Sequence, residues 1–552
     1  MLLPELLEAT HAAADQEHWW RFPAQKIELP LGAIISAGAS YAAGLSSLGV
    51  RAGDRVGLVL ENGPEYPSII LGIWQLGAIA VPLRPSGGLR FDMAGFLRDI
   101  DSDCRFTTLV VEDDASETGF AEWIGSGSGR GIRKSALRAR PDVVSVAAAP
   151  LRDSDLAVLQ YSSGSTARPK GVMVTHAMIR DQLTQIDAEY RYGCGGASIQ
   201  SSGSWLPFHH DMGLFIGILY PLFARADNVL ASPLYYMRDP KRWFRLQADH
   251  RVDWNFTTNL AMANSVPSLL RLDPGAVDLS RFYLYLAAEK VSPVVLDRTR
   301  EALGRLGMAR DHVRVGYGMA ENALAVASTK DGPVRSVRVR TEDETSLRFA
   351  DASDPESIEV VSVGKPHVNT SVTIRDEHGR SLPDMTIGEI CVEGPCVTPG
   401  YYNDPVKTEQ HLAGRRLRTR DIGFRLDDEL YFLARKDDIL VVGGRNIAPD
   451  DVEDCVESVG RVAAGGAVLI DVAAPATGKT ELVLLVELAG RLSDGEAAEC
   501  KAMLQQHVLN QRGVLINRIA FARKNALEKT SSGKKRRKVI RERFVRHELE
   551  LS

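Results

Sequence analysis

The chain has 552 residues, enough for about three or four domain-sized units with separate cores. With 44% hydrophobic and 25% charged residues it has the balance of an ordinary globular enzyme, and a formal net charge of −5 argues against nucleic-acid binding as its main role. Six cysteines without CxxC spacing speak against a zinc site or disulfide framework; with no signal-peptide pattern and no apolar run of about 18 residues, a cytoplasmic protein with no membrane span is expected.

Apolar residues recur at helical spacing from Gly32 to Val50, and a turn then leads into a strand over Arg55 to Leu60. Tyr66 to Leu76 reads as a helix and AIAVPL (78–83) as a buried strand, an alternation that predicts a parallel sheet covered on both faces. Leu109 to Val111 and Val143 to Val146 add strands, with the stretch from Gly125 to Arg140 as an exposed connection.

A strand from Leu156 to Tyr161 and another from Val172 to Thr175 flank a loop of unusual composition. Seven of the nine residues from Ser162 to Lys170 are Ser, Thr, Gly, Arg or Lys. Gly164 lets the backbone approach an anion, the hydroxyls of Ser162, Ser163, Ser165 and Thr166 can donate to its oxygens, and the Lys170 ammonium offsets its charge. A phosphate loop is the expectation, with a plain Ser/Gly turn as the alternative. It is not a Walker A sequence, and AAPATGKT (473–480) lacks the leading glycine and reads as a surface turn.

In SWLPFHHDMGLFIGILYPLF (204–223) a tight loop precedes a helix with an apolar face. His209, His210 and Asp211 are neighbours, a spacing that does not converge on a metal. One imidazole is expected to line a pocket while Asp211 caps a helix beginning near Met212. Farther on, LYLAAEKV (284–291) is a strand ending in a loop, and VRVGYGMAENALA (313–325) is a strand followed by Tyr317 and by Glu321 opening a helix. Loops leaving the carboxyl ends of parallel strands are where α/β sheets place ligands: Tyr317 offers a flat face to a purine and Glu321 an oxygen to magnesium.

Gly364 to Asp427 predicts a small β-rich subdomain ending in RTRDIG (418–423), with Asp421 between two apolar strands. Its carboxylate suits a ribose diol, or else its own turn backbone. ARKDDILVVGGRNIAPDDVE (434–453) then opens a separate C-terminal domain of about 115 residues, with strands over Ala467 to Asp471 and Glu481 to Leu488. The chain closes on EKTSSGKKRRK (528–538), whose KKRRK run from Lys534 to Lys538 reads as solvated tail.

In this order, YSSGSTARPKG (161–171), YGMAEN (317–322), TRDIG (419–423), ARKDD (434–438) and SSGK (531–534) resemble the superfamily of acyl- and aryl-adenylating enzymes, over nearly the whole chain. SWLPFHHDMGL, the VSPV that follows AAEK, and GGRNIAPDDVE are most similar to its fatty acyl-AMP ligase branch. The polar stretch between Ser328 and Val363 resembles that branch's insertion, which restrains the C-terminal domain; a long surface loop is the alternative. Three positions depart from the pattern: Arg420 and Ala434 stand where glycine is usual, and Glu528 where proline is frequent.

The resemblance implies an α/β fold: a large N-terminal domain (1–433) of two doubly wound α/β subdomains plus a β-rich subdomain, and a small mobile α+β C-terminal domain (434–552). It implies ATP-dependent activation of a carboxylic acid, fatty or a bulky natural product, to acyl-AMP and pyrophosphate, with magnesium bound by Glu321 and Thr166. The acceptor is the pantetheine thiol of a carrier protein; the alternative is a complete acyl-CoA synthetase, or an adenylating half needing a partner for transfer to CoA. Lys534 falls at the position of the catalytic lysine, joined by Glu321 and His210, and Asp437 at the hinge. ATP is expected to meet Ser162 to Thr166, Lys170, Ala288, Glu289, Tyr317, Gly318, Met319, Asp421 and Arg435. The acid pocket is expected to be lined by His210, Met212, Ile216, Met262, Ala287 and Tyr317, between the His210 helix, the Trp254 to Asn264 segment and the loop at Ala287.

Overall fold

The computed structural model describes residues 17–85, 92–114, 130–138, 148–162, 170–342, 345–354, 357–442, 445–473, 480–490, 492–529 and 535–551. Two parallel-rich sheets carry most of the chain. The first runs, in spatial order, Arg130–Arg133, Thr108–Val111, Arg55–Val59, Ile79–Leu83, Leu156–Ser162 and Lys170–Thr175. Its central strands are apolar on both faces, as strands covered on both sides must be, and Val56, Leu58, Val81 and Leu83 are all buried. Arg130–Arg133 corrects one expectation: part of the supposed connection over 125–140 pairs in parallel with Thr108–Val111 and runs into the short helix Lys134–Arg138. An edge strand buries little, so its arginines masked it in the sequence. Val143 to Val146 lie outside the described residues.

Only the last pairing of that sheet is antiparallel. Leu156–Ser162 and Lys170–Thr175 form a hairpin in register Ser162↔Lys170. The helices Leu31–Ser47 and Glu65–Gln75 pack against each other at glycines, since a Cβ on Gly72 would lie 2.8 Å from the Gly38 carbonyl oxygen.

In the second sheet, Trp254–Thr257, Tyr283–Leu286 and Val313–Gly318 are parallel neighbours, and Ala325–Ser328 returns antiparallel to the last of them. The early strand Trp19–Phe22 pairs with Asp227–Leu230 and so ties the start of the described chain into this sheet. Glu321 does not open a helix: Ala320–Asn322 is one 3₁₀ turn, and the backbone then enters Ala325–Ser328.

The β-rich subdomain forms as expected from Ser371–Arg375, Gly388–Glu393, Arg416–Leu426 and Glu429–Arg435. Asp421, however, lies inside one continuous strand rather than between two, directly after Arg420, whose φ is +62°. The stretch between Ser328 and Val363 is not a plain loop either. Ser336–Thr341, Leu347–Phe349 and Ile358–Val361 form an antiparallel sheet whose Val339, Leu347 and Val360 pack on Phe424, Tyr431 and Leu433.

Beyond Arg435 the backbone leaves that subdomain. Val462–Ala473, Thr480–Leu488 and Arg518–Ala522 make a three-stranded sheet with its own apolar cores. It packs with the helices Pro449–Glu457 and Asp494–Arg512, the latter opened by a Ser493/Glu496 capping box. Within the KKRRK run Lys535 and Arg537 are not solvated, whereas Arg536 and Lys538 are exposed and Lys534 lies outside the described residues. Lys535 donates to Glu453 (2.7 Å) and Glu457 (2.9 Å), and Arg537 to Glu453 and Asp450, because the acidic helix PDDVEDCVE lies beside it. Among the contacts that join this part to the rest, Lys290 pairs with Asp451, and Arg512 Nη1 donates to the Ser357 carbonyl at 3.3 Å. No helix among the described residues is long and apolar enough to cross a membrane.

Burial pushes the Asp454 carboxyl up to about 7, against the opposing pull of Lys535 and Lys290. The folded chain therefore holds this proton more tightly than the unfolded one does, and stability falls as pH rises from the ordinary carboxyl value of 3.8 through about 7. Asp454→Asn is expected to raise the melting temperature more at about pH 8 than at about pH 5, measured by calorimetry. Equal shifts at both would mean that Asp454 is ionised throughout.

Candidate active site

A cavity of about 1140 Å³ opens between the second sheet, the β-rich subdomain and the C-terminal part. Of the residues singled out in the sequence, it is lined by Lys170, His210, Met212, Ile216, Ala287, Ala288, Glu289, Tyr317, Gly318, Met319, Glu321, Asp421, Arg435 and Asp437. Ser162 is placed only by its backbone; Ser163, Gly164, Ser165, Thr166 and Lys534 lie outside the described residues.

One end of the cavity is organised by a buried carboxylate. Tyr317 donates its hydroxyl to Asp421 Oδ2 at 2.6 Å, and Arg435 Nε stands 3.5 Å from Oδ1. Burial and the facing carboxylate push the Tyr317 phenol far above its usual range, so it remains a donor. Its ring stacks on Phe432 with centroids 6.0 Å apart. Nearby, Glu321 Oε1 accepts the Tyr401 hydroxyl at 2.9 Å. Positive φ occurs at two lining residues, Ala288 (+74°) and Arg420 (+62°), and at the buried Ala323 (+59°) beside Leu324, conformations that cost an L-residue energy and that cluster at functional sites.

The other end is apolar. Asn62 reaches across from the first sheet, donating to the Leu206 and Ala231 carbonyls and accepting from the Phe208 N–H at 3.0 Å, while Gln160 Nε2 donates to the His209 carbonyl at 2.7 Å. These bonds fix the loop before the helical run Asp211–Ala224, which contains a π turn over Phe215–Leu219. His210, not Asp211, is the residue flanking that helix; Asp211 is already its first residue and accepts from the Met212 N–H at 2.7 Å. Burial, with the neighbouring His210 and Arg84, holds His209 well below the usual imidazole range.

Met212 and Ile216 face the cavity opposite an aromatic wall of Tyr190, Trp254, Phe256 and Tyr285. The rings of Phe256 and Tyr285 stack at 4.6 Å. Met262 is the exception among the expected pocket residues: it is fully buried, its sulfur 3.8 Å from the Tyr236 hydroxyl. The helix Asn259–Leu269 instead presents Ala263 and Val266 to the cavity.

Sequence reasoning missed Lys407 and His411, which line the cavity beside Lys170. A signal existed, because Asp404 caps the helix Pro405–His411 and Pro405 is its first residue, which sets Lys407 and His411 four apart on one face. The departures from the family pattern also acquire reasons. At Arg420 the backbone is left-handed, where glycine is unstrained, and here the arginine donates to the Asp437 carboxylate, with Nε to Oδ2 at 3.0 Å. Glu528 takes Arg543 Nη1 at 2.6 Å and Arg536 Nη1 at 3.2 Å, while Lys529 bridges to Lys535 across positions 530–534. Ala434 is buried in the strand Glu429–Arg435 beside a register shift, but its φ is not positive, so its backbone needs no glycine.

The class these features define is an α/β enzyme with a large cavity that a smaller C-terminal region helps to line. An AMP-binding enzyme model matches residues 38–402, and a model of the Disco-interacting protein 2-like AMP domain matches 437–552. The chain belongs to the AMP-binding enzyme family, so the resemblance read from its motifs is borne out. It is 29% identical to a 4-hydroxyphenylalkanoate adenylyltransferase of Mycobacterium tuberculosis, over 90% of this chain and 83% of that protein. To the long-chain-fatty-acid AMP ligase FadD26 of Mycobacterium marinum it is 30% identical, over 89% of this chain and 87% of the relative. A solved structure from work on fatty acyl-adenylate ligases of E. coli and L. pneumophila superimposes with a TM-score of 0.88 at 25% identity, covering 99% of this chain and 98% of that one. The expected fold class is likewise borne out.

Arg420→Gly removes the ion pair to Asp437 and relaxes the left-handed backbone at once. Limited proteolysis is expected to cut faster near residues 436–440, with the melting temperature little changed. An unchanged cleavage rate would show that the pair does not restrain this segment.

Proposed function

We propose that the enzyme activates a carboxylic acid by adenylation. A carboxylate oxygen attacks the α-phosphorus of ATP, the new C(O)O–P bond forms, the bond to the β-phosphate oxygen breaks with its electron pair, and pyrophosphate leaves. The observation that carries this is the two-ended cavity: Tyr317, Asp421, Arg435, Glu321 and Lys170 at one end, an apolar and aromatic recess at the other. ATP fits the first end and the acid's body the second, so that the carboxylate comes to lie near Ala287 and Ala288.

Little covalent chemistry is asked of the protein; it must position two anions and offset charge on the phosphoryl oxygens. In this reading Asp421 accepts from the ribose hydroxyls and Tyr317 lies against the purine beside Ala288, Glu289, Gly318 and Met319. Lys170 and the hydroxyls of residues 162–166 hold the pyrophosphate half, and Lys534 reaches the carboxylate and α-phosphate. Met212, Ile216, His210 and Ala287 bound the acid. Residues 434–552 act as the mobile unit, with Asp437 at the hinge.

Magnesium fits Glu321. The residue lines the cavity, and one of its oxygens is engaged by Tyr401. No cluster of three or more ligating side chains exists among the described residues, which suits an ion held mainly by phosphate oxygens and water. Thr166 would complete its protein contacts. Bound there, the ion would supply charge neutralisation on the phosphates.

The adenylating relatives support acyl-AMP as the product, passed to the pantetheine thiol of a carrier protein; the six free thiols fit a cytoplasmic setting. CoA is the second acceptor to weigh, since a carrier arm and CoA present the same thiol. Incubation with ATP and a panel of linear and aromatic acids is expected to release pyrophosphate and to load a phosphopantetheinylated carrier. Formation of free acyl-CoA at a comparable rate would overturn the choice of acceptor, and no pyrophosphate from any acid would overturn adenylation. Lys534→Ala is expected to slow pyrophosphate release by at least ~100-fold, the size of one lost electrostatic contact in a transition state. A rate near wild type would remove Lys534 from the mechanism.

A further inference from the structure

Lys170 and Lys407 meet at one ring. Their ammonium nitrogens lie 5.9 and 5.7 Å from the centroid of Tyr401, and both side chains line the cavity. Among the described residues neither ammonium forms an ion pair with a carboxylate. The nearby Glu321 is engaged by the Tyr401 hydroxyl, and Asp404 is spent on capping, accepting from the Lys407 backbone N–H at 2.9 Å.

The backbone holds the two cations together, not a chance meeting of flexible side chains. Tyr402 N–H donates to the Gly171 carbonyl at 2.8 Å and Met173 N–H to that of Gly400 at 3.1 Å, which stitches the 400–402 segment to the strand beginning at Lys170. Thr408 then locks the helix start, its hydroxyl accepting from the Tyr401 N–H and donating to the Asp404 carbonyl. Two like charges fixed side by side repel, and burial together with Lys170 lowers the Lys407 ammonium to about 8. Such a pair is stabilised by an anion with at least two charged oxygens.

We propose that Lys407 is a second phosphate-binding cation, which with Lys170 seats the β- and γ-phosphates of ATP and the pyrophosphate that departs. This rests on the adenylation reading for its place in the reaction, but its binding claim can be tested without any acid. As the α-phosphorus–oxygen bond breaks, the electron pair passes to the bridging oxygen, and the new charge on pyrophosphate is shared between two ammoniums supplied by different parts of the chain. Lys407 is a contact the phosphate loop itself does not contain.

The experiment is calorimetric binding of magnesium pyrophosphate and, separately, of AMP to the full chain carrying Lys407→Met or Lys407→Arg. Lys407→Met is expected to weaken pyrophosphate by ~10-fold or more, the size of one charge-assisted hydrogen bond, and to leave AMP unchanged. Lys407→Arg is expected to restore pyrophosphate binding to within about threefold, which shows that charge and not folding is being read. Pyrophosphate affinity equal to wild type in Lys407→Met, or equal losses for pyrophosphate and AMP, would overturn the proposal. Failure of every acid to release pyrophosphate would instead strike the adenylation reading and leave these binding results standing.

Discussion

The site depends on one buried carboxylate. Asp421 is only 4% exposed, yet it is shared by the phenol of Tyr317 from the second sheet and the guanidinium of Arg435 at the last position of the β-rich subdomain. A lone buried carboxylate would cost several kcal/mol, and these partners offset that cost only while the strands bearing them stay in place. The same contact therefore sets the angle between sheet and subdomain, and it fixes where the chain departs toward its C-terminal part.

Around that anchor, the two ends of the cavity are built by different means. The polar end uses short loops with left-handed residues at Ala288 and Ala323, where backbone strain puts polar groups at strand ends. The apolar end uses rigid packing: parallel strands deliver Trp254, Phe256 and Tyr285 to one face, and the π turn at Phe215–Leu219 sits in the helix that turns Met212 and Ile216 toward them. Gly316 also lines this cavity, and a Cβ there would meet the Ala327 carbonyl oxygen and the Ala287 Cβ only at ordinary contact distances, 3.7 and 3.8 Å.

Much of this was legible in the sequence wherever a residue acts through its own chemistry and a local pattern. The strands at 55, 79 and 156, and the placing of Tyr317, Glu321 and Asp421 at one cavity, all carry such signals. What could not be read depends on partners distant in the chain. Met262 has the composition of a pocket residue and turns into the core because Tyr236 and Ser265 are on that side. Lys535 and Arg537 look solvated until the acidic helix 449–457 is laid against them, and the polar 328–363 segment looks like loop until Phe424 and Tyr431 give its alternating valines something to cover. Arg420 and Glu528, which read as flaws in a motif, each turn out to hold an ion pair.

The bond between Arg420 and Asp437 differs in kind from those inside the C-terminal part. Its two side chains are 43% and 44% exposed, whereas Glu453, which takes Lys535 and Arg537, is fully enclosed. Dissolved ions screen the first and hardly reach the second. Ionic strength thus acts selectively: it weakens the pair at Arg420 and Asp437 while the enclosed cluster around Glu453 persists.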